Sequence, residues 1–184
     1  MDQVKTNKKR IGKYVSLLLR HHPEKAGLTI DEHGWADVAE LIEKVHPQYS
    51  LTEELLHELA YGPDKQRYEF SEDGKRVRAL HGHSIKVDLG YEAEDPPDIL
   101  YHGSAEKYRT SIEKEGLLRK NRQFVHLSDS VERAAEVGRR HGELIVYTID
   151  AAAMHKEGFT FFHSASGVWL TDVVPIKYMK EIKM

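Results

Sequence analysis

Apolar positions recur at helical spacing in the first half of the chain. Ile11, Tyr14, Val15, Leu18 and Leu19 follow the i, i+3, i+4, i+7 rule and predict an amphipathic helix. That helix must stop by His22, because Pro23 disfavours helical geometry in the residue before it. A second helix is expected from about Asp37, after Gly34-Trp35-Ala36, with Val38, Leu41, Ile42 and Val45 on one face. Ser50-Leu51-Thr52-Glu53 reads as a capping box opening a third helix with Leu55, Leu56 and Leu59, and Gly62-Pro63 closes it. The period then changes to two. Tyr68-Glu69-Phe70 and Val77-Arg78-Ala79-Leu80 flank a turn at Asp73-Gly74, which signals a hairpin.

Three helices followed by a hairpin is the order of a winged helix. A DNA reader of that kind would place its third helix in the major groove, but this one carries Glu53, Glu54 and Glu58. Carboxylates there oppose phosphates where such proteins gain from Arg and Lys. The cations lie elsewhere, at Lys8, Lys9, Arg10 and Lys13 near the expected start of the first helix, at Arg67, and at Arg76 and Arg78 on the hairpin.

Asp95-Pro96-Pro97-Asp98 reads as a linker. Beyond it short strands are expected at 99–103, 124–128, 144–149, 159–162 and 168–171. A helix runs through Tyr108 and Ile112 to Gly116, and another over 131–137 ends on Gly138-Arg139-Arg140-His141-Gly142. The 144–149 segment is apolar enough to be buried on both faces. The class is α+β, divided at about 1–92 and 93–184.

With 27 Lys+Arg against 30 Asp+Glu the net charge is −3, so nucleic-acid contact requires a local cluster. Cysteine is absent, which removes disulfides and thiolate metal sites and fits a reducing compartment. No apolar run reaches the ~20 residues of a membrane span. The first residues lack the apolar core of a secretory signal, so a cytoplasmic protein is expected, as a monomer. Twelve histidines invite a metal site, yet none has ligand spacing: His21 and His22 diverge by about 100° on a helix. His102 and His126 sit in strands beside Gly103-Ser104 and Ser128. Either they are satisfied core histidines, or the small and hydroxylated neighbours admit a ligand with hydrogen-bonding groups.

Eight stretches in order carry a resemblance: Leu18-Leu19-Arg20-His21, Asp31-Glu32-His33-Gly34-Trp35, Lys65-Gln66-Arg67-Tyr68, Gly82-His83-Ser84, Leu100-Tyr101-His102-Gly103-Ser104, Val125-His126-Leu127-Ser128, Val137-Gly138-Arg139-Arg140-His141-Gly142, and Gly167-Val168-Trp169-Leu170-Thr171. The chain resembles the RNA 2'-phosphotransferases, NAD-dependent enzymes that remove the 2'-phosphate left at a tRNA splice junction. The resemblance covers nearly the whole length.

It implies a winged-helix-like N-terminal lobe that takes the RNA phosphate and a C-terminal ADP-ribosyltransferase-like lobe that binds NAD as co-substrate. The family's essential set maps onto Arg20, His21, Arg67 and Arg122, expected to act on one phosphate. NAD contacts map onto His102, Gly103, Ser104, His126, Leu127, Ser128, Gly138, Arg140 and Val168. Many protein-modifying relatives carry Glu where Val168 stands, which counts against protein as acceptor. Ser166 replaces a common Asn and Ser104 a common Thr, each keeping a hydrogen-bonding group. ADP-ribosylation of terminal phosphates on nucleic-acid ends is the alternative reaction. No metal is implied.

Overall fold

The computed structural model describes residues 2–62 and 65–182, with side chains from Asn7 onward apart from 62 and 65. Pro63 of the expected helix stop lies outside the described residues. The chain divides into two compact units, Met1–Gly90 and Tyr91–Met184. The architecture is mixed, with small antiparallel sheets and short helices.

In the first unit, helix α1 (Asp2–Arg20) buries Ile11, Val15, Leu18 and Leu19. Lys8, Lys9, Arg10 and Lys13 were expected at the helix start but lie in its interior, beyond the first turn where the dipole would oppose them. They are exposed, and Lys8 pairs with Glu58. Ala36–Asp37, expected to lead straight into a helix, instead form strand β1, and Asp37 then caps α2 (Val38–Val45) by accepting from the Glu40 amide at 2.8 Å. Helix α3 (Glu53–Ala60) is capped by Thr52, which accepts from the Leu55 amide at 3.2 Å. A capping box at Ser50 would start the helix two residues earlier; the Thr52 hydroxyl, next to Glu53, takes the cap instead. Strands β2 (Tyr61–Gly62) and β3 (Lys65–Gln66) pair with one another. The hairpin is β4 (Tyr68–Phe70) and β5 (Arg76–Ala79), and β1 joins its far edge to give the order β1-β5-β4. One core unites helices and sheet, with Leu41, Val45, Leu56, Tyr68 and Val77 packed on the α1 stripe.

The second unit begins its regular structure with β6 (Ile99–Ala105). Helix α4 (Arg109–Glu115) ends at Gly116, whose φ of +75° suits glycine and whose absent Cβ would lie 2.3 Å from the Val174 oxygen. Strands β7 (Leu117–Leu118) and β8 (Val125–Leu127) lead to helix α5 (Val131–Arg139), capped by Ser130. Then come β9 (Leu144–Asp150), helix α6 (Ala151–Lys156), β10 (Phe162–His163), β11 (Trp169–Thr171), β12 (Val173–Val174) and β13 (Met179–Ile182). The expected strand at 159–162 is displaced to Phe162–His163.

Two three-stranded sheets result, β6-β9-β13 and β8-β11-β10, beside the short pair β7-β12. Central β9 is covered on both faces: Val146 packs with Ala134 and Ala135, while Ile145, Tyr147 and Ile149 face the larger core. Tyr101 and Ser128 exchange backbone hydrogen bonds at 2.8 Å in both directions, so β6 and β8 meet at that point. Among the described residues no helix is long and apolar enough to cross a membrane.

Candidate functional site

In the first unit the chemistry gathers at the C-terminus of α1. Arg20 occupies the last helical position, where a cation complements the helix dipole. Its guanidinium carbon lies 5.9 Å from the centroid of the Tyr68 ring. Tyr68 is itself fully buried, donates to the Gly12 carbonyl at 3.3 Å and is bonded to Ser16, both on α1. The ring beside Arg20 is thereby tied to the helix that carries Arg20. Arg67 precedes Tyr68; its amide donates to Ala60 O at 2.9 Å and its carbonyl accepts from Leu80 at 3.1 Å, so its backbone is fixed while the side chain stays exposed.

A second clasp holds the helix end. The amides of Ser84 and Ile85 both donate to the Arg20 carbonyl, at 2.9 and 3.3 Å. The Ser84 hydroxyl lies 2.9 Å from His21 Nδ1. His83, the preceding residue, is 2% exposed, and neither ring nitrogen meets a hydrogen-bond partner among the described residues. Burial, followed by the positive charges of Arg20, His21 and Arg78, pushes its pKa down to about 4. It stays neutral near pH 7 and adds no further charge to the Arg20–His21 pair.

In the second unit, His102 of β6 donates from Nδ1 to the His126 carbonyl at 3.0 Å. A carbonyl only accepts, so Nδ1 carries the proton, and burial holds the ring below the ordinary histidine pKa, with the charges of Arg122 and His141 acting the same way. His102 is thus neutral with its lone pair on Nε2. Arg122 Nη1 donates to His126 Nδ1 at 3.3 Å, which places the His126 proton on Nε2. Arg122, His126 and His102 are brought together in one hydrogen-bonded series. Leu127 is buried in β8 and pairs with Trp169; Val168 precedes that pair and continues the register towards Ser128. Val168 is held at its amide by Ser164 Oγ (3.1 Å), and Ser166 Oγ lies 3.0 Å from the same hydroxyl.

Two glycines have a different duty from the expected one. A Cβ on Gly103 would lie 1.7 Å from the Ala134 carbonyl oxygen, and one on Gly138 would lie 2.8 Å from the Ser104 oxygen. Gly138 lies within α5 rather than after it, so strand and helix backbones touch here and the glycines are the points of contact. Ser104 is 7% exposed at this junction. Arg140 is exposed and ion-paired with Glu136 one helical turn away.

Sequence reasoning left out Tyr68, His83, Ser84 and His141 as site residues. His83 and Ser84 stood in a quoted motif, but nothing in the sequence signals that a serine 63 positions from His21 bonds its ring.

The first unit thus fixes guanidinium and imidazole groups at the end of α1, and the second holds His102 and His126 with one ring nitrogen of each already engaged; groups of these kinds are chemically suited to phosphate oxygens and hydroxylated ligands. The chain belongs to the RNA 2'-phosphotransferase, Tpt1 / KptA family, which it matches over residues 6–173. It is 47% identical to a probable RNA 2'-phosphotransferase of Flavobacterium johnsoniae, over 94% of this chain and 95% of that one. The corresponding protein of Acaryochloris marina is 45% identical over 95% and 97% of the two chains. That of Pectobacterium atrosepticum is 43% identical over 93% and 96%. The protein is therefore a transferase.

Proposed function

We propose that this enzyme removes an internal 2'-phosphate from RNA, of the tRNA splice-junction type, using NAD as co-substrate. The RNA 2'-phosphate attacks C1'' of the nicotinamide ribose and nicotinamide leaves, giving an ADP-ribosylated RNA 2'-phosphate. Ribose O2'' then attacks phosphorus, the bond to RNA O2' breaks, and the products are 2'-OH RNA and ADP-ribose 1'',2''-cyclic phosphate. The observation that carries the reading is the clasped Arg20–His21 pair at the α1 terminus, in a chain that matches the family over residues 6–173.

Phosphoryl transfer asks a protein mainly for positioning and charge stabilisation. Arg20, Arg67 and Arg122 are assigned to the phosphate oxygens, which planar guanidinium forks hold two at a time. His21 is assigned as a further donor and as the proton donor to the departing RNA oxygen, a role imidazole side chains commonly serve. Winged-helix-like character for the first unit is supported by three helices followed by the β4–β5 hairpin, in the order α1-β1-α2-α3-β2-β3-β4-β5. ADP-ribosyltransferase-like character for the second is supported by the two sheets meeting at Tyr101 and Ser128.

The second unit's residues suit NAD. His102 offers an acceptor at Nε2 and His126 a donor at Nε2, and a ribose hydroxyl or a carboxamide uses one of each. Ser128, Leu127 and Val168 border these histidines along β8 and its partner strand, and an apolar Val168 offers no carboxylate to activate a protein nucleophile. Gly103 and Gly138 serve the cofactor by setting the distance between β6 and α5.

The test is incubation with NAD and a short RNA bearing one internal 2'-phosphate, beside an RNA bearing only a terminal phosphate. Nicotinamide and ADP-ribose cyclic phosphate are expected from the first. Absence of any NAD-dependent loss of phosphate overturns the reading, and stable ADP-ribosylation of the second RNA alone replaces it with end modification.

A further inference from the structure

Ser84 and His21 are far apart in sequence, yet the contact between them is one of three that the 84–85 segment makes with the end of α1. Two are backbone bonds from Ser84 and Ile85 to the Arg20 carbonyl, and they place the Ser84 side chain against the ring that follows Arg20. The third is the 2.9 Å approach of Ser84 Oγ to His21 Nδ1. Behind it, His83 is buried at 2% exposure, and a Cβ on Gly34 would stand 3.7 Å from its Nε2. The serine is thus mounted on an anchored residue and held by its own amide.

An imidazole that donates a proton in a reaction does so from one ring nitrogen, and its value depends on what the other nitrogen bonds. A hydroxyl accepts one hydrogen bond and can donate another, so it suits Nδ1–H before and after the ring gives up its second proton. Building on the role proposed above for His21, we infer that Ser84 is the positioning residue of this histidine. Its Oγ accepts from Nδ1–H and reserves Nε2 for the phosphate ester. In the second step the Nε2 proton passes to RNA O2' as the P–O2' bond breaks. The ring is left neutral, with Nδ1–H still on Ser84, and solvent returns the proton.

The test compares Ser84→Ala, Ser84→Thr and Ser84→Val, the last two being alike in shape and differing by the hydroxyl. Thr is expected to retain wild-type behaviour. Ala and Val are expected to lower kcat for phosphate release by about 10- to 100-fold, the scale of a misplaced catalytic group. KM for RNA stays within about twofold. In parallel, ring-nitrogen NMR of His21, assigned with His21→Gln, reads its protonation pattern without substrate. Protonated Nδ1 is expected in wild type and Thr, and a mixture of tautomers in Ala and Val.

Equal kcat and equal spectra across the Thr and Val pair overturn the inference, even if Ala folds poorly. A loss shared by Thr and Val, with unchanged His21 spectra, overturns it as well, since it marks a packing effect. If wild type releases no phosphate from 2'-phosphorylated RNA, the reading of function fails, and the spectra alone decide the role of Ser84.

Discussion

His83 shows at the residue scale how burial sets charge at this site. Its folded pKa of about 4 lies below the ordinary 6.5, so the folded state binds fewer protons than the unfolded chain between those values. Stability present above pH 6.5 is therefore lost progressively as pH falls towards 4, by roughly 3 kcal/mol in total. A His83→Gln variant, which does not titrate, is expected to show a correspondingly flatter dependence of urea-unfolding free energy on pH across that window. Parallel curves for the two proteins refute the assignment. At His21 the expectation is kinetic. His21→Ala should release nicotinamide yet accumulate the ADP-ribosylated RNA, because the role proposed for it falls on the second step. Loss of nicotinamide release as the first defect reverses the assignment of roles.

At the scale of elements, the junction of β6 and α5 sets the spacing next to His102, on the side proposed to take NAD. Gly103 follows His102 directly, and no rearrangement of side chains alone makes room for a methyl 1.7 Å from a backbone oxygen. Gly103→Ala is expected to cost about 3 kcal/mol by overpacking, at the upper end for such changes, and to weaken NAD binding by displacing His102. Calorimetric melting and NAD titration check both effects, and a Gly103→Ala protein with native melting temperature contradicts the contact. The clasp on α1 is the matching device in the first unit: the helix stop written by Pro23 leaves the Arg20 carbonyl to be taken by Ser84 and Ile85.

At the scale of the molecule, Arg20, His21 and Arg67 belong to the first compact unit and Arg122 to the second, and the assignment of all four to phosphate is a proposal about chemistry. If they act on one phosphate, Arg67→Ala and Arg122→Ala should each accumulate the same ADP-ribosylated RNA. The double variant should lose less than the product of the two single losses, since residues that work on one group are not additive. Fully multiplicative effects on single-turnover phosphate release indicate independent sites.

The residues determined by themselves what depends on short-range physics. The apolar stripe from Ile11 to Leu19, the start of α2 near Asp37, the Asp73-Gly74 turn and the Gly116 stop follow from local geometry, and each element stands within a residue or two of its expected place. The resemblance of spaced motifs proposed Arg20, His21, Arg67, Arg122, His102 and His126 as site residues without any coordinates. Where a local signal competed with another, as at Ser50 against Thr52, the pattern misled. Only the tertiary structure decided what depends on contacts between distant segments. The tautomers of His102 and His126, the neutral burial of His83, the hydroxyl of Ser84 on His21, and the duty of Gly103 and Gly138 as backbone contacts are all of this kind. Each is a property of a pair, and the chain order of its two members carries no record of their distance in space.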